Sequence, residues 1–342
     1  MKQHDPWFEQ LFGFREDSYE QTRRRFSVDG TTLRSLVNDR SFEIGTFRTP
    51  TLASLRERAP EVRPGRLEIT HEVVGDVLEL HALPDNHGAL FQVASQFNCL
   101  EFADPREVPE DGVTGYASDP TQGPACSLAA AAATVVRNYF APVGGGEGQT
   151  RDRQIDNLDA LAGMLGAPGE YFEVVNGYTW SDETRLRRLR ERMAAYDRER
   201  LLDAVKIGLQ TDVGVTFARR FVEPERPAVV SQAFCSALSC GYTQVGLDHW
   251  EPLATLVLDA AYEATLWAAA LHRRAEDERA PRIWLTFLGG GAFGNRTEWI
   301  GQAIGRALAR LEGVALDVRI AHYRKRREAV VEGIERARQS AL

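Results

Sequence analysis

Ile283-Trp284-Leu285-Thr286-Phe287-Leu288 runs directly into Gly289-Gly290-Gly291-Ala292-Phe293-Gly294-Asn295. The first six residues have the length and apolar character of a strand. Three consecutive glycines at its end let the backbone approach a ligand closely and turn its N–H groups inward. A helix is expected from Thr297 to Leu311, and its positive N-terminal end adds to those amides, so the place suits a pyrophosphate. It is not a Walker A loop, because no Lys-Ser/Thr follows, and it is not a GxGxxG fingerprint with an acidic residue about 20 positions on. A plain strand-to-helix turn is the alternative reading.

Working outward, Ala315–His322 reads as a strand and the chain from Lys325 as a closing helix. Upstream, strands are expected at Ala89–Ser95, Tyr171–Val175, Asp212–Phe217 and Ala228–Phe234. Helices are expected at Ala125–Phe140, Asp152–Leu165, Ser181–Arg192 and, opened by Glu251-Pro252, as far as His272. Such alternation points to an α/β layered sheet that is at least partly parallel. Leu67–His71 and Val77–Ala82, on either side of Gly75-Asp76, read as a hairpin, and residues 1–60 as polar and helical. Neither a repeat nor a low-complexity linker divides the chain.

The 342 residues carry 41 Lys+Arg against 49 Asp+Glu, a net charge of -8. That balance speaks against a nucleic-acid coat or an anionic-membrane binder, while leaving room for a local anion site built from backbone amides. Lysine occurs only at Lys2, Lys206 and Lys325, and every other basic residue is arginine. Cys99, Cys126, Cys235 and Cys240 form no CxxC and have no zinc-finger spacing. Reduced thiols, an N-terminus without a signal peptide's apolar run and apolar runs too short to span a bilayer give a cytoplasmic expectation.

Two further segments carry polar groups at the ends of expected strands. Phe91–Asn98 ends in Ser95, Gln96 and Asn98, able to hold a ribose or a base edge, and Asp119 and Gln122 follow beyond a loop. Asp119-Pro120 is equally a turn initiator. Ser236 opens the loop that reaches Asp248 and His249 before the long helix. That helix is apolar around most of its circumference yet carries Asp259 and Glu263 at i, i+4. Carboxylates on a buried helix need partners, either at a pocket edge or in salt bridges to arginine.

Leu90–Asn98, the Gly123-Pro124-Ala125-Cys126 helix start and Leu285–Asn295 together resemble a diverged macrodomain. More particularly they resemble the bacterial-effector-type hydrolases typified by MavL of Legionella, which remove ADP-ribose from modified arginine. The resemblance covers roughly residues 67–325. It implies a three-layer α/β/α fold with a mixed sheet, a helical extension over residues 1–66, and a domain over 67–342 with a helical insertion at about 141–210. It further implies ADP-ribose as ligand and product, bound by Gln96, Asn98, Ser236 and the run Gly289, Gly290, Gly291, Ala292, Phe293, Gly294 and Asn295. An ADP-ribosylated protein would be the substrate. Asp248, Asp259, Glu263 and Asp119 are the candidate carboxylates for water attack at the anomeric carbon. No cofactor is required by this chemistry, and Mg²⁺ is neither indicated nor excluded. The chain departs from the ordinary pattern in lacking an Asn-Ala-Ala-Asn run and the glycine-rich loop after it. A non-catalytic ADP-ribose-binding module and an unrelated nucleotide-sugar or phosphoester hydrolase are the competing readings.

Overall fold

The computed structural model describes residues 6–216, 228–272 and 279–342. Seven strands form the central sheet: β1 (Thr46–Arg48), β2 (Leu67–Val74), β3 (Leu90–Ala94), β4 (Gly208–Gly214), β5 (Val229–Cys235), β6 (Arg282–Leu285) and β7 (Leu316–Tyr323). Their order is β1-β4-β5-β3-β6-β7-β2. From β5 to β2 all neighbours are parallel, whereas β4 is antiparallel to both β1 and β5. Of the expected strand Asp212–Phe217, Phe217 lies outside the described residues.

Helices cover both faces, giving the three-layer arrangement. One face carries α1 (Gln122–Ala129), α2 (Ala131–Tyr139) and the short helix Val77–Ala82; the other carries α3 (Leu247–Leu271), α4 (Thr297–Arg310) and α5 (Glu328–Ala341). Alternate residues of β3 meet opposite layers, as the two-residue period of a strand requires. Phe91 stacks on His81 with ring centroids 3.8 Å apart, and the Gln92 amide donates to Thr265 of α3 at 3.0 Å. No helix among the described residues is long and apolar enough to cross a membrane.

Several local expectations are corrected. Val77–Ala82 is a helix rather than half of a hairpin, because Asp76 caps it by accepting the Leu78 N–H at 2.9 Å, and Leu67–Val74 pairs with β7 instead. The N-terminal segment holds two short helices, Trp7–Phe12 and Tyr19–Arg24, and a small antiparallel sheet of Phe26–Asp29, Thr32–Ser35 and Ser41–Glu43. Asp29-Gly30 at the first turn of that sheet is a hairpin signal that the polar composition conceals. The helix expected over Ala125–Phe140 breaks at Ala130, where Thr216 enters the gap. Its N–H donates to Ala129 at 2.8 Å and its hydroxyl accepts from Ala131 at 3.0 Å. The expected helix Asp152–Leu165 covers only Asp159–Leu165. The long helix starts at Leu247 rather than Glu251, which moves Pro252 inside it.

The junction of β3 with α1 fixes the register of the site. Gln122 pairs with β3 as another strand would: its carbonyl accepts the Ala94 N–H and its amide donates to the Gln92 carbonyl, both at 2.8 Å. That closeness requires Gly123, since a Cβ there would stand 1.9 Å from the Ala94 carbonyl oxygen. Gly123→Val is therefore expected to destabilise the protein by about 1–3 kcal/mol or more, as overpacking against backbone does. Urea unfolding with an unshifted midpoint would show the junction to be loose.

Candidate active site at the carboxyl edge of the sheet

The loops that follow β3, β5 and β6 meet at one edge. Ser95 N–H donates to the Cys235 carbonyl at 2.9 Å, Gly241 N–H to the Phe293 carbonyl at 2.9 Å, and the Asn295 amide to the Leu238 carbonyl at 2.7 Å. A hairpin, Glu173–Val175 with Tyr178–Trp180, closes over them. It is fastened by reciprocal bonds between Thr179 and Ser239 at 2.8 and 2.9 Å. Tyr178 hydroxyl donates to the Phe102 carbonyl at 2.8 Å, and its ring lies 5.1 Å from Tyr242 and 5.4 Å from Phe293.

Within the glycine loop, Asn295 N–H bonds to the Gly289 carbonyl and Gly294 N–H to the Gly291 carbonyl, each at 3.0 Å. Gly290 N–H reaches the Phe287 carbonyl at 3.3 Å, and Leu288 N–H the Tyr262 hydroxyl at 2.9 Å. These bonds leave the amides of Gly289, Gly291, Ala292 and Phe293 without an acceptor among the described residues. Gly289 is demanded by the fold: its φ is +69°, and a Cβ would stand 2.4 Å from that of Ala237. Gly291 is not, since a Cβ there meets nothing within 4 Å. Asn295 is buried, and its Oδ1 has no partner although its Nδ2 has two.

The other candidates divide. Gln96 is spent on its own loop, accepting from the Phe102 N–H at 3.0 Å and donating to the Phe102 carbonyl at 2.9 Å. Asn98 accepts from Leu100 N–H at 3.1 Å and donates to Gln154 at 2.9 Å, and Ser236 donates to the Ala237 carbonyl at 2.9 Å. Asp119 accepts the Thr121 N–H at 2.8 Å through Oδ1, which places it in the turn just before α1. Asp248 lies in the first turn of α3 and pairs with Arg296, the residue after the glycine loop. Asp259 and Glu263 do not reach this edge's loops through any of their contacts. Arg306 and Arg198 hold Asp259, while Arg56 grips Glu263 through two bonds of 2.7 Å and Trp267 donates to it at 3.1 Å. The salt-bridge alternative accounts for both.

Sequence reasoning missed Glu101. It sits in the loop after β3, wholly buried, with Oε2 accepting from Ser127 at 2.7 Å and Oε1 unpartnered. Arg137, also fully buried, stands 3.4 Å from it. The available signals were an acid set between Leu100 and Phe102 and a lone arginine in an Ala-rich helix. Burial pushes the Glu101 carboxyl up to about 7 despite Arg137. The native state therefore keeps this proton where the unfolded chain has lost it. The carboxyl's own contribution to stability is expected to fall as pH rises from the ordinary carboxylate range through 7, and then to level off. The buried imidazoles of His81 and His322 add the opposite slope to any variant, so the readout is the difference in urea-unfolding stability between wild type and Glu101→Gln, which should fall across that window; a pH-independent difference would refute the assignment.

The four cysteines are buried free thiols. Among the described residues no three His, Cys, Asp or Glu side chains come together as a metal site.

No protein-family profile and no curated protein sequence matches the chain. Solved structures do. Poly(ADP-ribose) glycohydrolase from Deinococcus radiodurans in complex with ADP-ribose is similar at 13% identity and a TM-score of 0.47, over 86% of this chain and 95% of that one. The enzyme from Thermomonospora curvata bound to the inhibitor ADP-HPD is similar at 13% identity and a TM-score of 0.42, over 94% and 96% of the two chains.

Proposed function

We propose that this protein binds ADP-ribose and hydrolyses its glycosidic link to a protein side chain. The observation that carries the reading is the row of open amides at Gly289, Gly291, Ala292 and Phe293 at the head of α4. Such a row holds a diphosphate without needing a net positive protein. Two features beside it suit the rest of the ligand. The unpartnered Asn295 Oδ1 can accept from a ribose hydroxyl, and the partly exposed Tyr242 and Phe293 rings, backed by the buried Tyr178, offer apolar faces.

Cleavage at an anomeric carbon passes through a transition state of oxocarbenium character, so a carboxylate that deprotonates water accelerates it. Asp119 is our choice. Its Oδ1 is held by Thr121, which orients the group, and no partner among the described residues occupies Oδ2. Arginine is the linkage we propose, on the sequence resemblance to the effector-type hydrolases.

Release of free ADP-ribose from arginine-, glutamate- and serine-linked proteins and from poly(ADP-ribose), run in parallel, tests the reading. Release from the arginine-linked substrate is expected, and Asp119→Asn should lower kcat about a hundredfold or more while retaining affinity. Binding without release from any substrate would make the protein a non-catalytic module. Failure to bind ADP-ribose at all would overturn the proposal. Gly291→Val should weaken binding about tenfold with an unchanged melting temperature, because only a ligand approaches closely there. Unaltered affinity in that variant would remove the loop from the binding site.

A further inference from the structure

We infer that Arg296 is the phosphate-contacting side chain of the glycine loop, held by Asp248 until a diphosphate displaces that carboxylate. The inference rests on the reading of the loop as an ADP-ribose site and adds to it a charged contact and a competitor.

Arg296 occupies the N-cap of α4, directly after Asn295. Residues favoured there accept a hydrogen bond from the first free amides of the helix. Arginine has only donors, and no side chain caps this terminus. Its charge also adds to the positive end of a 14-residue helix, where a cation is disfavoured. Capping and the helix dipole give no reason for this choice. An anion seated on the loop supplies one, because it is attracted by the open amides, the helix terminus and the guanidinium together.

The present partner of that guanidinium is easily removed. Asp248 pairs with Arg296 through a side chain that is 78% exposed, and such surface pairs are weak. The other charges at this mouth do not replace it. Arg190 donates to the Asp248 carbonyl at 2.6 Å, His249 faces Glu183 at 3.5 Å, and Glu251 accepts from Trp299 at 3.1 Å. Trp299 in turn lies under the Arg296 guanidinium, 5.1 Å from it. Stacking of this kind steadies the planar group while leaving the N–H donors along its edge able to bond. The neighbouring Asn295 brings a second, independent group, a buried Oδ1 without a partner among the described residues.

Calorimetric titration of the full chain with ADP-ribose, at low and at raised salt, tests this in the wild type, Arg296→Gln, Arg296→Lys and Asp248→Asn. Arg296→Gln should weaken binding about tenfold at low salt and flatten its salt dependence, with partial recovery in Arg296→Lys. Asp248→Asn should tighten binding severalfold, since it removes the competitor. Arg296→Gln with wild-type affinity and salt slope overturns the inference. So does Asp248→Asn if it weakens binding, or if kcat collapses while affinity stays put, which would make Asp248 the hydrolytic carboxylate. A wild-type chain that binds no ADP-ribose removes the reading of the site and this inference together. Binding that Arg296→Gln leaves untouched removes only the inference.

Discussion

A single buried guanidinium joins the parts on which the site is built. Arg137 of α2 donates to the Cys99 carbonyl at 3.1 Å, Gln210 at 3.2 Å, Ser127 at 2.9 Å and Thr134 at 3.1 Å, and lies 3.7 Å above the Phe234 ring. Those contacts tie the loop after β3 to β4, α1 and β5 at once. A charge without solvent is tolerable only when every face is occupied, so each partner's position constrains the others. Glu101 completes the arrangement imperfectly. Ser127 relays between the two by accepting from Arg137 and donating to Glu101, while one carboxylate oxygen has no partner. Loss of one member would leave a charge or a strong acceptor buried alone, which is why the network is more a geometric constraint than a source of stability.

The same arithmetic of satisfaction explains the arginines around α3. Asp259 and Glu263 are buried on a helix that faces apolar neighbours, and each is met by a planar fork or two. Arg56 holds Glu263 with paired bonds of 2.7 Å and reaches Asp203 at 2.8 Å. A lysine offers one point charge and no matching plane, so it could not serve two carboxylates in this way. These contacts pack the helices Leu52–Arg56, Arg198–Asp203 and α4 against α3, behind the sheet. The sheet is thus braced from behind by pairs in which each buried carboxylate is matched by arginine.

The legibility of the fold followed the physics of each signal. The strand Ile283–Leu285 and the glycine turn could be read directly, because an apolar run and consecutive glycines act locally. The layered α/β alternation was readable for the same reason. Boundaries set by distant residues were not. Thr216 splits a continuous Ala-rich helix from 85 positions away, and nothing between residues 125 and 140 announces it. Asp76 was visible, yet the apolar-polar alternation of Val77–Ala82 fits a strand as well as a short capped helix. The turn at Asp119-Pro120 was equally local, although its residues alone left a turn initiator and a pocket group undivided. The Glu101–Arg137 pair was hidden, since a buried ion pair is a property of two segments and neither looks unusual by itself.

Pro252 shows how a backbone rule reaches the site's mouth. A proline inside a helix has no N–H for the carbonyl four residues back, and that carbonyl belongs to Asp248. Arg190 of the helix Glu183–Ala194 takes it instead. The missing hydrogen bond is thereby converted into a link between the helix Glu183–Ala194 and the first turn of α3. Asp248 is held by its backbone, and its side chain remains exposed and turned to Arg296. A carboxylate anchored in this way can give up its ion pair without the helix end moving. The proline, the arginine that answers it and the arginine after the glycine loop therefore meet at one residue, Asp248, whose backbone is fixed while its side chain stays in solvent.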